Sequence, residues 1–209
     1  MGRKRYSYSD GGIRQGASGV NSLHAQQVFD RGYETCANAL FSLSVVLRFI
    51  GTEAPAEEVD ALVDSLIDQS LEDIRKESLR LKEIAEGNGI KTTIGYTSAR
   101  TVDVQITSPR AIKYLAIIRE FDGMIAHLDM LWLSCVVTDS QYARGVYEWQ
   151  RRTLRLAGQI RQMATRAVLA ARRKETGGVS DDAVDTTVVA AESLPSTTEA
   201  DTGERKGTE

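Results

Sequence analysis

The chain has 209 residues, of which 42% are hydrophobic and 26% charged, and its formal net charge is −3. This composition is typical of a globular chain and excludes collagen-like, mucin-like and wholly disordered proteins. Two cysteines are too few for a disulfide framework. The longest apolar stretch, residues 36–50, contains Asn38 and Arg48 and is too short to span a bilayer. The polar start of the chain is unlike a signal peptide, and we expect a cytoplasmic protein.

Charge is distributed unevenly along the chain. Residues 52–88 hold four basic and eleven acidic residues, whereas residues 140–174 hold nine basic and one acidic. Residues 175–209 hold two basic and nine acidic residues. A basic helix followed by an acidic tail is common in proteins that contact nucleic acid, so nucleic acid is a candidate partner.

The first half of the chain is predicted to be helical after a flexible start. Residues 1–22 are rich in Gly, Ser and Arg and are predicted to form a flexible basic arm. Apolar residues at helical spacing predict one helix over about 22–50 and a second over about 55–86, the second with an acidic far face. Within the arm, three residues are candidate contacts to DNA phosphates: Arg3, Lys4 and Arg5.

Residues 90–96 and 101–107 are short and β-branched, as in strands. In the second segment, Val102, Val104 and Ile106 alternate with four polar residues, which predicts one core face and one outer face. Two pairings are open: segment 101–107 pairs with 90–96 as a hairpin, or it pairs with the same strand of a second copy.

Two long helices are predicted after this strand. Ser108 and Pro109 are typical of a helix start, and the helix runs to about residue 134. The last helix runs over about 140–173, and residues 175–209 are predicted to form a disordered acidic tail. Residues 23–174 are therefore expected to form a single, mostly helical domain.

The last helix has an apolar seam on one side and arginines on the other. Five arginines share the polar side, and we call them the arginine ridge: Arg144, Arg151, Arg155, Arg166 and Arg173. Because a guanidinium group fits phosphate oxygens, the ridge is a candidate contact to a nucleic-acid backbone. The alternative is an ordinary solvated helix face.

A strand followed by two helices is the element order of ribbon–helix–helix DNA-binding proteins, in which paired strands enter the major groove. On this interpretation the polar face supplies the candidate base contacts, Thr101, Asp103, Gln105 and Thr107. The candidate phosphate contacts outside the arm are Arg100, Ser108, Arg110, Lys113, Arg144, Arg151 and Arg155. The candidate core or dimer-interface residues are Val102, Val104, Ile106, Trp132 and Trp149.

A family resemblance lies within residues 117–167. It is carried by Leu128-Asp-Met-Leu-Trp-Leu-Ser134, Thr138-Asp-Ser-Gln-Tyr142 and the segment Tyr147–Arg161. These segments resemble the AcaB-type transcriptional regulators of conjugative plasmids and integrating conjugative elements, over roughly residues 55–172. The resemblance implies a dimeric, ribbon–helix–helix-type DNA-binding activator of conjugation genes. Both helices are longer than that module needs, and the connection 135–139 lacks the glycine often found there.

No enzyme, metal or cofactor is predicted. His24 and His127 are isolated, and no Cys or second His lies at ligand spacing from either one. Cys36 and Cys135 have apolar neighbours and are predicted to be buried thiols.

The sequence therefore predicts a mainly α fold with a short β-ribbon, acting as a sequence-specific regulator. Its expected partners are double-stranded promoter DNA and a second copy, with other transfer regulators as further candidates. The alternative is a helical scaffold of a conjugative element that binds no DNA. In that alternative the ridge contacts an acidic partner, or the acidic helix 55–86 covers the ridge within the same molecule or dimer.

Overall fold

The computed structural model describes residues 13–50, 53–92 and 94–175. All of these residues belong to one compact unit. A second unit, Gly178–Glu209, lies outside the described residues. Arg3, Lys4 and Arg5 also lie outside the described residues, and so does the predicted acidic tail beyond residue 175. The predictions for these segments are not tested by the structure.

The described chain is mainly helical, as predicted. Its helices are α1 (Leu23–Val28), α2 (Glu34–Ile50), α3 (Glu53–Gly87), α4 (Pro109–Leu133) and α5 (Asp139–Glu175). The single helix predicted over 22–50 is interrupted by a π-helical turn, Phe29–Tyr33. Gly32 lies in this turn, where a Cβ atom would come within 2.7 Å of the Tyr114 hydroxyl oxygen. The missing side chain lets α4 approach the turn closely.

A two-stranded antiparallel sheet joins distant parts of the chain. Strand β1 (Ile13–Val20) pairs with β2 (Arg100–Ile106), and a β-bulge separates Gln15 from Ser18. The hairpin alternative with 90–96 is wrong, because residues 90–92 and 94–96 form no strand. Residues 13–20 are likewise not part of a flexible arm. Within the described chain, β2 takes its partner strand from the same chain.

The start of α1 is tied to α4 by a buried carboxylate. Asp122 accepts hydrogen bonds from the backbone N–H groups of Asn21 and Ser22 at 2.9 and 2.8 Å. Ser22 in turn caps α1 by accepting from the Ala25 N–H. The two Asp122 contacts span about 100 positions of sequence, so a local pattern of Gly and Ser does not reveal them.

The core lies between the sheet and the helices, where α3 packs on α4 and α2 packs on α5. Val102 and Val104 of β2 are buried in it, and Ile106 is half-buried. Trp149 is half-buried and Trp132 is exposed over 38% of its surface. No helix in the described ranges is long and apolar enough to cross a membrane.

The turn between α4 and α5 replaces the expected glycine with a cysteine. Cys135 has a φ of 57°, in the left-handed region. Its N–H donates to the Trp132 carbonyl at 2.9 Å, and the Val136 N–H donates to the Leu131 carbonyl at 3.0 Å. This is a Schellman turn, in which glycine is usual at that position. Cys36 is buried as predicted, but the prediction for Cys135 is wrong, because the turn exposes it.

Candidate nucleic-acid interface

The basic residues that follow β2 are held by helix α3. Ser108 is buried and caps α4, because its hydroxyl accepts from the Ala111 N–H at 3.2 Å. Arg110 then donates through Nε and Nη2 to Asp64, at 3.2 and 2.8 Å, and through Nη1 to Asp60 at 2.6 Å. The guanidinium group is therefore shared between two carboxylates, one of them in a bidentate contact.

Lys113 extends the same contact by one helical turn. Its Nζ lies 3.0 Å from an oxygen of Asp68 and 3.5 Å from one of Asp64. Residues 60, 64 and 68 face α4 because residues four apart share one side of a helix. We call this group the α3–α4 ion-pair cluster; it comprises Arg110, Lys113, Asp60, Asp64 and Asp68.

The cluster shifts the protonation of its members. The hydrogen bond from Arg110 lowers the pKa of Asp64, against the opposing effect of its partial burial. The hydrogen bond to Asp64 likewise raises the pKa of Arg110. Both shifts favour the charged forms, as expected for a matched ion pair.

Arg100, at the start of β2, is also paired. Its guanidinium group donates to both carboxylate oxygens of Asp30. The same group lies 6.0 Å from the centre of the Phe29 ring. Arg100, Arg110 and Lys113 are the three cations near the strand that were predicted to contact phosphate. Carboxylates of the same chain therefore pair with all three.

The arginine ridge of α5 is different. Its members are exposed, and their opposite side, with Val146, Thr153 and Ile160, is buried. Among residues 13–50, 53–92 and 94–175, Arg144, Arg151, Arg155 and Arg166 form no ion pair. Residues 144–173 of a helix extend over about 44 Å. Within one molecule, Asp60, Asp64 and Asp68 of α3 pair with α4 and not with the ridge. That α3 of a second copy covers the ridge stays a prediction.

The four residues predicted to contact bases do not all lie on the outer face of β2. Thr101 is exposed. Gln105 stands opposite Arg14 in the ladder, and Asp103 lies opposite the bulge of β1. Thr107 lies beyond the end of β2, so the strand alternation no longer applies to it. Its hydroxyl donates to the Ala37 carbonyl of α2 at 3.4 Å, which corrects the prediction that it faces outward.

Each tryptophan already has partners within the described chain. Trp132 stacks on Tyr142 with ring centres 5.0 Å apart, and its Nε1 donates to Asp139 at 2.6 Å. The guanidinium group of Arg152 lies 4.8 Å from the centre of the Trp149 ring. The Trp132 contacts join α4 to α5, whereas the Arg152–Trp149 contact lies within α5 itself.

Two carboxylates of α4 with positioning roles were missed from sequence. Asp122 fixes the start of α1, as described above. Asp129 accepts hydrogen bonds from the hydroxyls of Tyr96 and Tyr142, at 2.5 and 2.7 Å. It thereby joins the α3–β2 connection and α5 to α4. The available signal was an acidic residue within an otherwise apolar helix face.

One solved structure matches the chain over most of its length. A crystal structure of selenomethionine-containing AcaB from uropathogenic E. coli superposes with a TM-score of 0.76. The two sequences are 34% identical, and the match covers 80% of this chain and 86% of that chain. No protein-family model matches the chain, and no curated protein matches it.

Proposed function

The chain belongs to the AcaB family, and from that premise we propose that it is a sequence-specific, DNA-binding transcriptional regulator that activates conjugative-transfer genes. The observation that carries this proposal is the exposed arginine ridge, of which Arg144, Arg151, Arg155 and Arg166 form no ion pair within the described chain. A row of such guanidinium groups is suited to phosphate oxygens and would supply most of the affinity for DNA.

The ridge is the proposed main phosphate-binding surface. Arg144, Arg151 and Arg155 are its first three members. A phosphate group that binds them breaks no ion pair of the described chain. Arg100, Arg110 and Lys113 are proposed as secondary contacts, because phosphates would have to displace their carboxylate partners. Ser108 contributes its capping role at the start of α4 rather than a free hydroxyl.

The β1–β2 sheet is the proposed base-reading element. The major groove of B-DNA admits a two-stranded antiparallel ribbon. The inner face of β2 is buried through Val102 and Val104, and Thr101 is exposed. We assign base contacts to Thr101, Asp103 and Gln105, and the ribbon now comprises two strands of one chain rather than one strand from each of two copies.

A homodimer on two-fold symmetric DNA completes the proposal. Two copies double the phosphate contacts and present two ribbons to two half-sites, which is how symmetric operators are read. The protein acts without catalysis and without a metal or cofactor in this proposal. Its partners are promoter DNA, a second copy and other transfer regulators.

Fluorescence anisotropy with labelled duplexes tests the proposal. Conjugative-element promoter DNA and a shuffled duplex are each titrated with the full chain over a series of salt concentrations. Binding to both duplexes should weaken as salt rises, and the promoter should bind more tightly. The absence of salt-sensitive binding to any duplex would reject DNA binding.

Substitution of Gln105 tests base reading separately. Gln105→Ala should weaken binding to the promoter by about 1–3 kcal/mol while leaving the shuffled duplex nearly unchanged. The matched control is Gln69→Ala, at an exposed position of α3 away from the sheet. Equal behaviour of the two variants would remove Gln105 from the base contacts.

The second candidate function is a helical partner-binding protein without DNA binding. It is favoured by the same ridge, since an acidic protein would also match it. A stable complex with a protein of the conjugation apparatus, together with no duplex binding at low salt, would support this candidate over the first.

A further inference from the structure

Helix α5 has a glycine in the middle of its basic side. Gly158 is exposed, and a Cβ atom built there would have no heavy atom of the described chain within 4 Å. Gly145 of the same helix is different, because its Cβ atom would lie 3.2 Å from Leu128 Cδ2. Close packing against α4 therefore accounts for Gly145 but not for Gly158. Since glycine destabilises a helix interior relative to alanine, the residue at position 158 has a cost that no described contact explains.

An open depression surrounds Gly158 on the outer side of α5. Its volume is about 450 Å³, and it is lined by Gly158, Arg161, Gln162, Thr165 and Arg166. All five residues are exposed. Because residues three and four apart are neighbours on a helix, Arg161 and Gln162 lie one turn beyond the glycine and Arg155 lies one turn before it. The glycine therefore leaves the helix backbone open between arginines on both sides.

The charge around this depression is positive only. Residues 149–174 contain eight basic residues and no acidic residue. Arg155, Arg161 and Arg166 are exposed and form no ion pair with the described residues. A ligand that lies against Gly158 would thus be within reach of guanidinium groups that have no carboxylate partner in the described chain.

A phosphodiester is the chemical group that this surface suits. Glycine lets a ligand approach the backbone closely, and guanidinium groups on either side match phosphate oxygens. Arg155 and Arg161 are separated by about 9 Å along the helix axis, so both can reach a group that lies between them. None of the five lining residues has an apolar side chain, whereas the centre of a protein–protein interface is usually apolar or aromatic. The surface therefore favours a DNA backbone over an acidic protein.

We propose that a phosphodiester segment of duplex DNA binds against Gly158, between Arg155 on one side and Arg161 and Arg166 on the other. The amide N–H of Gln162 donates to the same phosphate. We call these five residues the Gly158 site. The proposal rests on the DNA binding of the proposed function and deepens it, because it places the closest approach of the DNA at one point of α5. It also adds Arg161, which is not a member of the arginine ridge, to the phosphate contacts.

Fluorescence anisotropy of the full chain with the promoter and shuffled duplexes tests the site. Gly158→Leu fills the depression and should raise both dissociation constants about tenfold, because it separates the phosphate from the guanidinium groups. Gly158→Ala adds one methyl group and should raise them about threefold. Both substitutions should shift the midpoint of urea unfolding to higher urea, since alanine and leucine favour a helix more than glycine does. A loss of affinity together with a gain in stability distinguishes a DNA contact from damage to the fold.

The matched control is Gly123→Leu in α4. Gly123 is exposed, and a Cβ atom there would likewise have no described heavy atom within 4 Å. Its helical neighbours Arg119 and Glu120 have opposite charges, so the position lacks the positive surroundings of Gly158. Gly123→Leu should raise the unfolding midpoint and leave both dissociation constants unchanged. An equal loss of DNA affinity in the two leucine variants would overturn the proposal.

Arg161 tests the site without a change to the glycine. Arg161→Ala should weaken binding to both duplexes about fivefold and reduce the salt slope by about one. In the Gly158→Leu background the same substitution should weaken binding less than about twofold, because the phosphate is already displaced. The control Arg119→Ala removes one exposed charge from α4 and should change neither quantity. Full additivity of the Gly158→Leu and Arg161→Ala effects would show that they share no phosphate and would overturn the proposal.

The remaining outcomes separate the ligands and the two proposals. Poly-L-glutamate is titrated as a second probe, and if Gly158→Leu weakens its binding as strongly as that of DNA, the assignment to a phosphodiester is wrong. If the wild-type chain shows salt-sensitive duplex binding and Gly158→Leu binds equally well, the Gly158 site is wrong and the proposed function stands. If the wild-type chain binds no duplex at low salt, the proposed function fails and the Gly158 site fails with it.

Discussion

Two groups of basic residues in this protein have opposite surroundings. In the α3–α4 ion-pair cluster, Arg110 and Lys113 are matched by three aspartates of α3. On the arginine ridge of α5, Arg144, Arg151 and Arg155 are exposed and form no ion pair with the described residues. The first group joins two helices of one chain, whereas the second has its binding capacity available for another molecule.

A basic residue beside a strand is therefore not by itself a good candidate for phosphate contact. A basic residue that lacks an ion-pair partner in its own chain is a better one. Arg110 lies at the start of α4, directly after the candidate base-reading strand. Its side chain is nevertheless only 20% exposed, and two carboxylates bind its guanidinium group. A phosphate group gains less from such a site, because the existing ion pairs must first be broken.

The largest expected effect is on DNA affinity, through the ridge. Substituting Arg144, Arg151 and Arg155 together by Ala should weaken binding to all duplexes about a hundredfold and reduce the salt slope by about three. The free energy of unfolding should change by less than about 0.5 kcal/mol, because these side chains are exposed. Anisotropy at several salt concentrations and urea unfolding measure the two quantities.

A matched control removes the same charge from α3. Arg75, Lys76 and Lys82 are exposed there, and replacing all three by Ala leaves the ridge intact. This variant should retain most of the salt dependence. Equal losses in the two triple variants would show that overall charge, and not the ridge, determines DNA affinity.

The next effect is on stability, through the ion-pair cluster. Arg110→Ala should lower the free energy of unfolding by about 1–2 kcal/mol, since Asp60 and Asp64 lose a shared partner while lying partly exposed. Its effect on DNA affinity should be smaller than that of the ridge variant. The comparison variant is Lys76→Ala, whose pair with Glu72 is exposed on both sides. A larger loss of DNA affinity than of stability would make Arg110 a direct phosphate contact.

A smaller effect should appear when the pH is changed. The contribution of the α3–α4 ion-pair cluster to the free energy of unfolding should depend on pH. Because Arg110 lowers the pKa of Asp64 below its ordinary value of 3.8, the unfolded chain binds that proton at a higher pH than the folded chain does. The stabilisation is therefore complete at neutral pH and is lost as the pH falls through and below about 4. The difference in urea stability between wild type and Asp64→Asn should shrink between pH 7 and pH 3. Asp73→Asn, at an exposed position of the same helix, should show no such convergence.

The helices of both regions were predictable because their signals are local. Apolar residues three and four apart identify α3, α4 and α5, and Ser108 with Pro109 identifies the start of α4. The alternation of Val102 and Val104 likewise identifies β2. The spacing of Asp60, Asp64 and Asp68 also shows that they share one side of α3.

The partners in these contacts were not predictable, because they lie far apart in sequence. Arg110 is 46 residues from Asp64, and Ser22 is 100 residues from Asp122. Strand β1 has a Gly- and Ser-rich sequence that favours no regular structure, and its pairing with β2 supplies its conformation. The sequence thus identified the cationic residues but not which of them are already neutralised.

The smallest expected effect concerns the turn that connects the two regions, between α4 of the cluster and α5 of the ridge. Cys135 holds a left-handed conformation there, which costs a residue with a Cβ atom about 1–2 kcal/mol. Glycine adopts this conformation without that cost but loses more entropy on folding. Cys135→Gly should therefore raise the free energy of unfolding by about 0.5–1 kcal/mol, measured by urea denaturation. Cys135→Ser, which keeps the Cβ atom, should give no such gain. Because Cys135 belongs to neither region, DNA affinity should stay constant in both variants, and a change in it would show that the direction of α5 relative to α4 controls the ridge.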